Sequence, residues 1–135
     1  ENASVTLNHR GVTMHLAGVE DWESARFHPS RSPNLNEALA GCDPTRFTIL
    51  LAHQPKAIKE ASLRAVDLQL SGHTHGGQIA PFTWLVYLDQ PYRSGLYTVN
   101  QTTLYVSEGT GYWGPPVRLG TRAELTLLTL RHRSE

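Results

Sequence analysis

The sequence predicts an α/β (α+β) chain: a mixed sheet with one βαβ unit near its middle, followed by mainly antiparallel strands. Three observations carry this. Phe47-Thr48-Ile49-Leu50-Leu51-Ala52 is continuously apolar and of strand length, as expected of a strand covered on both faces. Apolar residues at helical spacing follow at Ile58, Ala61 and Ala65, and a second short apolar run ends at Leu70. The second half then carries short runs rich in β-branched and aromatic residues.

Taken in order, Val5 to His9 and Val12 to Ala17 are short runs separated by Arg10-Gly11, which reads as a β-hairpin. Glu20 to Pro33 turns polar and reads as a loop. Asn34 is placed to cap a short helix through Leu35, Ala38 and Leu39, ending near Gly41. Pro55 suits the first turn of a helix, predicted over Lys56 to Val66. Strand, helix and strand in that order imply a parallel pair. Gly95 to Val99 and Thr103 to Ser107 form a second hairpin around Asn100-Gln101, and Ala123 to Arg131 reads as a last strand.

At 135 residues the chain is expected to form a single domain, residues 1–135. Hydrophobic content of 39% against 18% charged residues fits a globular chain rather than a disordered one. Twelve basic residues balance twelve acidic ones, so nothing electrostatic argues for nucleic acid as a partner. Cys42 is the only cysteine, which excludes an internal disulfide and a Cys-rich zinc site. The polar opening Glu1-Asn2-Ala3-Ser4, without an initiator methionine, suggests a fragment of a longer protein.

The chemistry concentrates in histidines. One strand run stops at His53, the next at Ser71-Gly72-His73, and His75 follows two residues later. Ligand sites in open α/β sheets lie beyond the carboxyl ends of the strands, so neighbouring strands would bring these imidazoles to one edge. Gly72 suits a tight turn just before them, and Gly76-Gly77 permits close backbone approach. Neutral imidazole binds Zn, Fe, Mn or Co well. A β-turn with incidental histidines is the bland alternative. The strand-end histidine upstream favours metal.

Gly72-His73-Thr74-His75-Gly76-Gly77-Gln78 resembles the terminal metal motif of calcineurin-like metallophosphoesterases. Ile49-Leu50-Leu51-Ala52-His53-Gln54-Pro55 is similar to that family's preceding single-histidine motif. Gly109 to Gly120 is similar to a segment of its bacterial, often membrane-associated, subgroup. The resemblance runs from about Val12 to Leu130 and implies the C-terminal part of a four-layer αββα sandwich. It also implies two divalent metal ions (Mn, Fe, Zn or Co), with His53 and His73 on one and His75 on the other. The implied reaction is hydrolysis of a phosphomonoester, a phosphodiester or a pyrophosphate, with a lipid-linked substrate among the candidates. In that subgroup the catalytic domain is often extracytoplasmic, behind N-terminal membrane segments.

The chain departs from the family in lacking Asp-x-His, Gly-Asp and Gly-Asn-His motifs. The resemblance therefore implies an absent N-terminal half, a partial metal site, and little or no hydrolytic activity in the chain alone, in which no residue is assigned as catalytic. Exposed strand edges would favour self-association or a partner. The alternative function is a non-catalytic module in which His53, His73 and His75 hold one zinc, or none, and the domain binds a partner.

Other residues stay open between two readings. Arg118 is a phosphate-facing arginine or a surface arginine in a packed loop. Gly76, Gly77 and Tyr112 are candidate substrate contacts. Tyr112 and Trp113 either wall a pocket or cover the core. Asp21 lines the site edge or is a solvated loop carboxylate. Tyr87, Tyr92 and Arg93 are placed to shape a substrate entrance. His15 reads as structural, and His9, His28 and His132 as solvated.

Overall fold

The computed structural model describes residues 2–28, 30–80 and 91–131. Six strands form one mixed sheet: β1 (Ala3–His9), β2 (Val12–Gly18), β3 (Phe47–Leu51), β4 (Leu68–Ser71), β5 (Gly95–Val99) and β6 (Thr102–Val106), in spatial order β1-β2-β3-β4-β6-β5. The outer pairs β1/β2 and β5/β6 are antiparallel hairpins, while β2, β3, β4 and β6 run parallel. Arg10 and Gly11 both adopt positive φ at the first turn, as a tight hairpin with the sheet's twist requires.

Helical segments α1 (Ser24–Phe27) and α2 (Leu35–Leu39) lie between β2 and β3. Asn34 caps α2, its side-chain oxygen accepting from the Glu37 N–H at 3.1 Å. A 3₁₀ turn, Pro55–Ala57, leads into α3 (Ile58–Ala61) between β3 and β4. The expected helix over Lys56 to Val66 is thus shorter, because the chain leaves it at Ser62 and re-enters the sheet through Asp67. Asp67 then bridges three strands: its carboxylate accepts from Thr48 N–H, its amide donates to Thr48, and its carbonyl accepts from Thr103 N–H.

One sheet face is covered. Ala17, Leu50 and Leu104 project from it and pack with Leu35, Ala57, Ile58, Ala61, Val66 and Val106. The opposite face carries Val5, Leu7, Met14, Leu16, Phe47, Ile49, Leu51, Leu70, Leu96 and Tyr105 in register, and half of these are exposed. No helix among the described residues is long and apolar enough to cross a membrane.

The mixed sheet with its βαβ unit is as expected, and the second half contributes the antiparallel β5/β6 hairpin, whose β6 joins the sheet parallel to β4. One expectation changes. Ala123 to Arg131 is not a strand: it pairs with none of the six, and Leu125 and Leu127 are 93% and 91% exposed. Strand propensity in that run meets no partner edge, and a strand is defined by its pairing.

Candidate metal centre

Four parallel strands deliver four loops to one carboxyl edge: Val19–Asp21 after β2, His53 after β3, His73–Gln78 after β4 and the loop from Glu108 after β6. The β3/β4 hydrogen bonding runs on past the strands, with Ala52 N–H donating to Leu70 and Gly72 N–H donating to His53. That extension sets His53 and His73 side by side. His73 Nδ1 lies 3.2 Å from His53 Nε2, with the rings edge to face at 4.9 Å between centroids.

This separation fits a shared cation. Two imidazole nitrogens each about 2.1 Å from one divalent ion, at roughly 90–110°, stand about 3.0–3.4 Å apart. Without the ion the same spacing is a hydrogen bond between one protonated and one bare ring nitrogen. His53 is exposed and His73 half-buried, so an ion can reach the pair from solvent.

His75 contacts Arg118. Its Nδ1 lies 3.5 Å from the Arg118 guanidinium, and no cluster of three or more His, Cys, Asp or Glu forms a metal-sized site among the described residues. The structure brings His53 and His73 together.

The turn that carries these ligands is strained. His73, His75 and Gln78 have φ of 69°, 48° and 44°, a region that costs a non-glycine residue of order 1–3 kcal/mol. Gly76 and Gly77 share that region at no steric cost. The tight turning expected at Gly72 is instead borne by His73, since Gly72 is not among the positive-φ residues. Such a turn persists only if its surroundings hold it. Thr74, buried, donates through its hydroxyl to the Arg93 carbonyl at 2.5 Å. Gln78, also buried, uses its whole amide: the nitrogen donates to Trp113 and Pro115 carbonyls, and the oxygen accepts from Trp113 N–H at 2.8 Å.

Arg118 donates to the carbonyls of His75, Glu108, Gly109, Gly111 and Arg122. Tyr112 and Trp113, 57% and 67% exposed, project from the loop so held. Glu108 presses its carboxyl group against Gly76. Asp21 accepts from the Gln54 side chain at 3.0 Å and so ties the β2 loop to the residue after His53, while its Oδ2 is buried with no hydrogen-bond partner among the described residues. A depression of about 380 Å³, lined by His53, Gly72, Leu51 and Leu70 among others, joins this edge to the open sheet face.

The remaining histidines are accounted for separately. His15 is buried, Nε2 accepting from Asp43 N–H and Nδ1 facing the Thr6 hydroxyl, while His9 and His28 are exposed. Tyr92 packs edge to face on Tyr97. Tyr87 and His132 lie outside the described residues. Gln78 and Glu108 had no assigned role from sequence; the only signal was a polar residue directly after a glycine pair, and an acid just after a strand.

The chain is similar to proteins from animals and bacteria. It is 52% identical over 121 residues to a bovine "Transmembrane protein with metallophosphoesterase domain", covering 86% of this chain and 27% of that protein. It is 45% identical over 124 residues to an uncharacterized metallophosphoesterase of Helicobacter pylori, covering 90% of this chain and 33% of that protein. It is 36% identical over 104 residues to the uncharacterized metallophosphoesterase YkuE of Bacillus subtilis, covering 74% and 36% respectively. No family model matches the chain, and no solved structure matches it significantly. The chain thus spans about a quarter to a third of the length of these relatives. With these identities and the strand-end histidine pair together, the chain belongs to the calcineurin-like metallophosphoesterase family.

Proposed function

We propose that this segment supplies three metal-binding imidazoles to a hydrolase of phosphomonoester, phosphodiester or pyrophosphate bonds. His53 and His73 hold one divalent ion, and His75 belongs to a second. The observation that carries the reading is the 3.2 Å approach of His53 Nε2 and His73 Nδ1 at the carboxyl edge of the parallel strands. Two divalent ions (Mn, Fe, Zn or Co) supply Lewis acidity toward phosphoryl oxygens and lower the pKa of bound water. The chain's own part is to fix the imidazoles and to bring the Gly76-Gly77 backbone near the substrate, with Tyr112 as a wall.

Neutral imidazoles do not balance two dications. We assign the missing carboxylates to polypeptide outside these 135 residues, packed on the open sheet face that the depression at His53 adjoins. The substrate class favoured is a phosphoester with an apolar or lipid-linked group. The exposed Tyr112 and Trp113 support it, as does a relative named as a transmembrane protein. The non-catalytic reading in its one-zinc form needs three imidazoles on one ion, and the described residues form no such cluster, which does not favour it.

The test is hydrolysis of bis-p-nitrophenyl phosphate with Mn²⁺ by the full-length protein. His73→Ala is expected to lower kcat/KM by at least about 100-fold, the loss of one ligand of a metal that carries the chemistry. The isolated 135-residue chain is expected to show little or no turnover. Wild-type activity in His73→Ala, or robust turnover by the isolated chain, would refute the assignment.

A further inference from the structure

We infer that Arg118 and Gln78 are positioning residues for the metal-binding turn, and that Arg118 is not a phosphate contact. The inference rests on the functional reading above only for what the turn is used for.

Three observations carry it. The first is the strain: three non-glycine residues of the six from His73 to Gln78 sit in the left-handed region, so the turn does not hold its shape unaided. The second is where the guanidinium goes. Arg118 donates to Glu108 at 2.8 Å, Gly109 at 3.1 Å, Gly111 at 3.1 Å, Arg122 at 3.0 Å and His75 at 3.2 Å, all backbone carbonyls. A planar fork of five N–H donors is fully engaged by that set, which leaves none directed at an anion. The third is Gln78, whose buried amide both donates to and accepts from Trp113, 35 residues away. Leu119 N–H then donates to the Gln78 carbonyl, and Ala80 N–H to the Leu119 carbonyl.

The two side chains act from opposite sides. Arg118 reaches from the 108–122 loop to the turn, and Gln78 reaches from the turn to the loop. Together they make one body of the metal-binding turn and the loop that presents Tyr112 and Trp113. Lysine at 118 would keep the charge but offer a single ammonium, unable to span carbonyls on both segments. Glutamate at 78 would keep the acceptor for Trp113 N–H and set a carboxylate against two carbonyl oxygens.

The experiment uses Arg118→Lys and Gln78→Glu in the full-length protein, with three readouts. Amide hydrogen exchange without metal should speed up in both 73–78 and 108–122. Mn²⁺ affinity by calorimetry should fall about tenfold, the lower end for residues that orient metal ligands. For bis-p-nitrophenyl phosphate, kcat should fall by a similar factor of about ten, with KM held within about twofold. Unchanged exchange and Mn²⁺ affinity with a KM raised about tenfold in Arg118→Lys would instead make Arg118 a substrate contact and overturn the inference. Wild-type behaviour in all three readouts would overturn it too. If the wild-type enzyme hydrolyses no phosphoester, the proposed function fails while exchange and Mn²⁺ affinity still decide the positioning role. Should Arg118→Lys not fold, Gln78→Glu decides alone by the same criteria.

Discussion

A methyl group has no room at Gly76. Its backbone sits at φ 61°, and a Cβ there would lie 2.7 Å from the Glu108 carboxyl carbon. The left-handed conformation alone costs an L-residue about 1–2 kcal/mol, and Glu108 would have to shift while its carboxylate still accepts from Arg122 N–H. Gly76→Ala is therefore expected to lower the stability of the full-length protein by about 1–3 kcal/mol and to weaken Mn²⁺ binding as well. Thermal denaturation and calorimetry check the two effects, and an alanine variant with unchanged melting would refute both the backbone cost and the clash with Glu108. At this scale the sequence was partly legible. The meeting of His53 and His73 was readable because a strand-end position is a local fact, and the parallel pairing of β3 with β4 brings such ends together. His15 was readable from alternation, since it shares the covered face with Ala17. Arg118 and Gln78 were not, because the contacts that join loop and turn, Arg118 to the His75 carbonyl and Gln78 to Trp113, span 43 and 35 residues of sequence.

Elements were legible where a local signal defines them. The two hairpins, the Asn34 cap and the apolar β3 all lie where turn chemistry and periodicity put them. Elements defined by a partner were not, which is why Ala123 to Arg131 has strand composition without a strand's ladder. The entry to β3 shows how a short turn is stabilised. Asp43 accepts from Thr45 N–H and from the Thr45 hydroxyl, and these bonds, with Arg46 nearby, hold its carboxyl below the usual 3.8. Its backbone N–H is also the donor to His15. A carboxyl depressed on folding contributes stability that is present above its unfolded value and is lost as pH falls through the folded one. Wild type should therefore exceed Asp43→Ala in stability at pH 6, and the gap should narrow as pH drops below about 4. Urea titrations at several pH values measure it. A gap that stays constant down to pH 2 would remove the carboxylate from the account.

The whole molecule has one covered face and one open face, and the open face is the more telling. Val5, Leu7, Phe47, Leu51 and Leu96 are all exposed on it, in register across the sheet. An exposed apolar face of this kind is what a contact with another layer would bury. Among the described residues the edge strands β1 and β5 each pair on one side only, which leaves a template for further pairing. Since the chain spans only 27–33% of its bovine and Helicobacter relatives, ample polypeptide exists there to form that layer. The two settings then give opposite signs for one substitution. In the isolated chain, Leu7→Lys with Leu96→Lys should reduce self-association at tens of micromolar, because charge replaces apolar surface facing solvent. In the full-length protein the same pair should lower stability by several kcal/mol, because burying each leucine contributes about 1.5–3 kcal/mol and a buried lysine adds a desolvation cost. Light scattering on the isolated chain and denaturant melts on the full-length protein measure the two arms. A monomeric wild-type segment with a cooperative melt, or a full-length protein indifferent to both lysines, would show that nothing packs on this face.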